Sequence, residues 1–318
     1  MTAAAPRSPL LDPATLAGIG DLRLAARRLV EGFLAGHHAS RRLAAAAEFS
    51  QFRAYEPGDD PRRIDWRLYA RTDRYYLREA QVERDVTVRF VLDATASMTA
   101  PAPPPDGAAA GKFETARLAA AALAYLAHLH GDRVVLAVVG GAGSRGDRGG
   151  FGGSAGDAWS TGDAGDRRLG GFLHALERAE PGGAWPAPDE LLPRLASRRG
   201  RELIVVLSDV WERGDEVRRT LAALSALRHE VLLLRILSPA EVDLPGGDDT
   251  VFEDAESGVR IAVGGAAARA AYRARYAAHR EELRRDLLAA GVALTELRTD
   301  QPLDAALRAL LLERQRLR

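Results

Sequence analysis

From residue 86 onward, short continuous apolar runs alternate with longer segments of helical periodicity. The runs at 86–92, 134–139, 203–207, 231–237 and 292–297 are strand-length and rich in Val, Ile and Leu. Segments 113–129, 220–228, 267–290 and 303–316 place apolar residues at helical spacing. Strands apolar on both faces, separated by helices, demand a mostly parallel sheet covered on both sides. A doubly wound, Rossmann-type α/β fold is therefore expected for residues 86–318.

The preceding residues, 1–85, read as an extension of a different character. An amphipathic helix is expected over 16–34, with Gly36 as its stop. Residues 48–83 interleave aromatic side chains with arginines around the turn signal Pro57-Gly58-Asp59-Asp60-Pro61, which indicates short strands and turns. Within the α/β part, the Gly-, Ser- and Asp-rich stretch 140–165 and the proline-led stretch 101–111 read as loops. Residues 250–252 and 259–263 flank Glu256-Ser257-Gly258, a β-hairpin inserted between the fourth strand and the long helix.

Bulk properties exclude several classes of function. Lys plus Arg and Asp plus Glu both number 44, so the net charge of +0 gives no general attraction to nucleic acid or acidic membrane. The chain has no cysteine, which removes disulfides, thiol catalysis and thiolate metal sites together and suits a reducing compartment. Met1 to Leu11 lacks the pattern of a signal peptide, and the apolar run 118–129 is too short to span a bilayer. A cytoplasmic protein without membrane insertion is the expectation. The histidine pairs His37/His38 and His128/His130 lack a third ligand at metal spacing, and Gly140 to Arg145 lacks the ending of a phosphate-binding loop.

Ligands of an open α/β sheet bind beyond the carboxyl ends of its strands. There the first strand leads into Asp93-Ala94-Thr95-Ala96-Ser97-Met98, and the third ends in Leu207-Ser208-Asp209. Asp93, Thr95 and Ser97 alternate, offering a carboxylate and two hydroxyls, and Asp209 offers a second carboxylate. Such an all-oxygen set suits a hard divalent cation, Mg²⁺ first and Mn²⁺ second. The same residue types also cap helices and close turns, and spacing alone leaves both readings open. Upstream, Glu48, Arg53, Asp59, Asp60, Arg63, Asp65 and Arg71 suit a buried ion-pair network. They equally suit a partner-binding surface of Arg53, Tyr55, Asp59, Asp60, Arg63, Asp65, Trp66 and Arg71, with the aromatic residues as anchors.

Glu48-Phe49, the run from Arg53 through Pro57-Gly58-Asp59-Asp60-Pro61-Arg62-Arg63-Ile64-Asp65-Trp66, and Ala70-Arg71 resemble the signature of the bacterial domain of unknown function 58 family. The match continues through Val82-Glu83-Arg84-Asp85 into the Asp93 to Met98 segment, and Phe252-Glu253-Asp254, Tyr272 and Thr299-Asp300 also fit. That resemblance implies a von Willebrand factor A-like domain with a metal-ion-dependent adhesion site, acting with a MoxR-type AAA+ ATPase or another von Willebrand factor A-like protein and not as an enzyme. The family's Asp-x-Ser-x-Ser motif falls on Asp93, Thr95 and Ser97, with Thr for the first Ser, and its distal Asp falls on Asp209. The family's Pro-Gly-Gly-Gly-Thr, whose Thr is a metal ligand, is here Pro181-Gly182-Gly183-Ala184-Trp185. Neither Ala184 nor Trp185 has a coordinating side chain, so the site is expected to be weakened, occupied only when a partner carboxylate completes it, or vestigial, with Thr161 as a substitute donor.

Two alternatives stand beside this reading. One is a structural scaffold with a degenerate metal site. The other is a phosphatase-like, metal-dependent hydrolase built on Asp93, although such enzymes need an Asp two residues on, where this chain has Thr95, and no lysine at a suitable position completes the set.

Overall fold

A computed structural model describes residues 21–22, 24–30, 52–54, 76–78, 87–99, 110–141, 166–195, 200–211, 214–243, 250–253, 260–263 and 265–316. Contacts divide the chain into two units, Met1–Val30 with Val86–Arg318, and Glu31–Asp85. In the smaller unit, β1 (Phe52–Ala54) pairs antiparallel with β2 (Tyr76–Arg78), in keeping with the short strands expected there.

The larger unit begins with helix α1 (24–30), which Asp21 caps by accepting the Leu24 N–H at 3.0 Å. Its Ala25, Ala26, Leu29 and Val30 are buried in the same core as the sheet, so this helix belongs with the α/β domain and not with the extension expected up to residue 85.

The sheet consists of five parallel strands in the order β4 (Arg133–Val139), β3 (Thr87–Asp93), β5 (Leu203–Ser208), β6 (Glu230–Leu237) and β9 (Ala293–Arg298). Between β6 and β9 the chain makes the expected antiparallel hairpin, β7 (Thr250–Glu253) with β8 (Arg260–Val263).

Strand alternation sends each apolar run to two cores. Phe90 and Leu92 of β3, Val205 and Leu207 of β5, and Leu232, Leu234 and Ile236 of β6 face one side. That face is covered by α1, α2 (Lys112–Leu129), α3 (Asp166–Glu177) and α8 (Leu303–Arg316). Ala116, Ala119, Ala120 and Ala124 of α2 are completely buried, and their small size lets the helix lie close on the strands. Val91, Ile204, Val206, Val231 and Leu233 face the other side, under α4 (Pro188–Leu195), α5 (Glu216–Ala226) and α7 (Gly265–Ala289). Each fully buried Leu or Phe contributes about 1.5–3 kcal/mol, so both faces have to be sealed. A short helix, α6 (Pro239–Asp243), follows β6.

The expected strands and the long C-terminal helices are all present. Helices α3, α4 and α6 are additional to the sequence reading. Among the described residues, no helix is long and apolar enough to cross a membrane.

Candidate metal centre at the carboxyl end of the sheet

Parallel register puts the ends of β3 and β5 side by side, with Leu92 opposite Leu207. Asp93 and Ser208 therefore meet one step later, and Ser208 Oγ donates to Asp93 Oδ2 at 2.5 Å. The backbone N–H of Thr95 donates to Asp93 Oδ1 at 2.9 Å. Thr95 Oγ1 and Ser97 Oγ are 2.9 Å apart, and Ser97 Oγ donates to Asp209 Oδ1 at 3.3 Å. The four residues expected to form the site are thus one hydrogen-bonded group, and all of them are buried.

Two backbone devices hold this arrangement. Gly140, just after β4, has φ +78, and a Cβ there would come within 2.6 Å of Thr95 Cγ2. Only glycine leaves room for the Thr95 turn. Beside it the 181–185 segment forms a bridge: Ala96 N–H donates to Gly183 O at 2.8 Å, and Gly183 N–H donates to Gly140 O at 2.7 Å. After β5, Val210 has φ 53, costly for a β-branched residue, while its N–H donates to Ser208 Oγ at 2.9 Å and the Trp211 N–H to Asp209 Oδ1 at 3.1 Å. Arg235 of β6, fully buried, donates from Nε to the Asp209 carbonyl at 3.1 Å.

Two charged groups that sequence reasoning missed complete the cluster. Lys112, the first residue of α2, donates from Nζ to Asp209 Oδ2 at 2.7 Å and also to the Glu241 carboxylate on α6. A sequence signal for Glu241 existed: Ser238-Pro239-Ala240-Glu241 is a capping box, and the Ser238 N–H donates to Glu241 Oε2 at 2.9 Å. For Lys112, a helix start far from both acids, no such signal exists.

The electrostatics are unbalanced. Burial, and next the Asp209 carboxylate, push the Asp93 carboxyl from its ordinary 3.8 up to about 7, against the bonds from Ser208 and Thr95. Burial acts against the Lys112 ammonium, but Asp209 and then Glu241 outweigh it and raise its pKa. Burial raises Glu241 as well, more than Lys112 lowers it. Three carboxylates against one ammonium leave two negative charges in a buried cluster. Among the described residues there is no group of three or more His, Asp or Glu placed to hold a metal by themselves, so hydroxyls have to complete any donor set.

The segment aligned with the family's third hydroxyl ligand supplies none. Trp185 packs against the second core, with its Nε1–H buried and without a hydrogen-bond partner. Thr161 lies outside the described residues. So do Tyr55, Asp59, Asp60, Arg63, Asp65, Trp66 and Arg71, whereas the backbone of Arg53 lies in β1.

The family model described as "Protein of unknown function DUF58" matches residues 51–150 and 154–282. The chain belongs to this family. An uncharacterized protein of Mycobacterium tuberculosis is 30% identical to it over 298 residues, covering 93% of this chain and 88% of that protein. An uncharacterized protein of Mycobacterium bovis matches equally. Among solved structures, the conserved hypothetical protein BatB from Bacteroides thetaiotaomicron is similar, with TM-score 0.43 and 20% identity, over 73% of this DUF58 chain and 98% of that one. An aerotolerance-related membrane protein from Bacteroides fragilis gives TM-score 0.40 at 18% identity, over 73% of this chain and 99% of that one.

Proposed function

We propose that this DUF58 chain is a non-enzymatic interaction module of the von Willebrand factor A type. It recognises an acidic side chain of a protein partner through a divalent cation, Mg²⁺ or Mn²⁺. The observation that carries this reading is the convergence of Asp93, Thr95, Ser97 and Asp209 into one buried, hydrogen-bonded group. The donor chemistry fits the ion: the oxygens are hard, and a divalent cation would offset the burial, and next the Asp209 charge, that raise Asp93. When bound, such an ion supplies a positive centre for an incoming carboxylate. The protein's own residues set the rest: Arg235 and the strained Val210 fix Asp209, and Gly140 fixes the Thr95 turn. A MoxR-type AAA+ ATPase is the first partner to test, and a cytoplasmic location accords with the cysteine-free sequence.

Isothermal titration of Mg²⁺ and Mn²⁺ into the full chain and an Asp93→Ala variant tests the reading. Binding that disappears in the variant is expected, together with loss of capture of the cognate ATPase. Equal behaviour of the two proteins would leave the scaffold alternative in its place.

The hydrolase alternative gains one feature, since Lys112 does reach Asp209. Against it, the position two residues on is a threonine, where such an enzyme needs an aspartate. Turnover of an aryl phosphate abolished by Asp93→Asn would favour the enzyme.

A further inference from the structure

Lys112 has a side chain only 1% exposed and lies on an acidic pair from two different elements. Asp209 is divided between two environments: Oδ1 faces Ser97 and the Trp211 N–H, whereas Oδ2 faces the ammonium. Glu241 is held in place from two directions, by the Ser238 N–H on its other carboxylate oxygen and by the Tyr272 hydroxyl, which donates to its carbonyl at 2.6 Å. The cluster therefore has its own cation, delivered by a helix terminus and clamped by α6.

Resting on the reading of this cluster as a metal centre, we propose that Lys112 is a tethered cation that competes with the divalent ion for Asp209 and sets the affinity of the site. An ammonium is a compact point charge, and bonded to Asp209 Oδ2 it both repels a second cation and draws charge from the carboxylate that must hold it. It also pairs the buried acids when no metal is present, so the fold does not depend on the ion. Weak resting occupancy follows, and a partner carboxylate that adds negative charge to the cluster retains the metal. The isolated chain then binds the ion weakly, and the partner raises its occupancy.

The test titrates Mn²⁺ and Mg²⁺ into full-length wild type, Lys112→Met and Lys112→Met/Glu241→Gln, each with and without Asp93→Asn. Removing Lys112 and the charge of Glu241 together keeps the formal charge of the cluster, so a gain in the double variant reads the freeing of Asp209 Oδ2. It also avoids the unpaired buried Glu241 that threatens folding of the single variant. Both variants are expected to bind about tenfold tighter than wild type or more, with the gain lost on adding Asp93→Asn. The melting temperature of Lys112→Met is expected to rise with Mn²⁺ while that of wild type barely moves. If wild type binds through Asp93 and the Lys112 variants bind no tighter, Lys112 is no competitor and the metal reading stands without it. If none of the proteins binds either ion, both readings fall together.

Discussion

On the proposed reading, function and stability are opposed at Asp93. Its ordinary pKa of 3.8 rises to about 7 in the folded protein, through burial first and Asp209 second. Between those values the folded state keeps a proton that the unfolded chain has released, so stability falls as pH rises through the window and the penalty is complete above it. Asp93→Asn removes the charge and keeps an acceptor for the Thr95 N–H. In EDTA at about pH 8 this variant is expected to be more stable than wild type by on the order of 2 kcal/mol, measured by denaturant unfolding. A less stable variant would mean that Asp93 is already compensated. Gly140→Ala acts in the opposite direction, because it combines a left-handed backbone with a 2.6 Å approach to Thr95. A loss of about 2–4 kcal/mol and weakened ion binding are expected, and unchanged unfolding would contradict the tight packing described.

At the scale of elements, the parallel strands were legible because most are near-continuous apolar runs that feed both cores, whereas β9 interrupts its apolar residues with Thr295 and Glu296. Helices α3 and α4 were not, because glycine and proline punctuate their segment: Gly170 and Gly171 lie within α3 and Pro193 within α4. The apolar spacing of Leu169, Phe172, Leu173 and Leu176 is helical, and tertiary burial against Phe90, 5.2 Å from Phe172 between ring centroids, overrides the weak local propensity. Gly170 is exposed, and a Cβ there meets nothing within 4 Å. Gly170→Ala should therefore raise stability by about 0.5–1 kcal/mol in thermal or denaturant unfolding, and a loss would show that α3 is strained at this point. The site follows the same division. Asp93, Thr95, Ser97 and Asp209 stand at strand ends and could be read in advance, whereas Lys112 and Glu241 arrive from helices whose convergence no local pattern encodes.

Across the whole molecule, Asp93 and two histidines titrate in opposite senses. At the amino end, Arg89 forms a buried ion pair with Glu202 at 2.7 Å, and the Glu202 N–H donates to His229 Nδ1 at 3.1 Å, a bond that requires neutral imidazole. Burial, opposed by Glu202 and aided by Arg89, lowers His229 from its ordinary 6.5, and on α7, beside Trp211, burial with Arg235 and Arg218 lowers His279 likewise. For these groups the unfolded chain takes up the proton first as pH falls below 6.5, so their contribution to stability is full above that value and is lost on acidification. Asp93 has the reverse slope, so in the metal-free protein it opposes the histidines as pH falls from about 7 to about 5. A divalent ion bound as proposed would hold Asp93 ionised and cancel its slope, leaving that of the histidines. Unfolding free energies measured across this range should therefore fall less toward low pH in EDTA than in saturating Mg²⁺ or, even in EDTA, in Asp93→Asn. His229→Gln should flatten the last two curves. If Asp93→Asn in EDTA followed the wild-type curve instead, the titration assigned to the carboxyl end of the sheet would belong to another group.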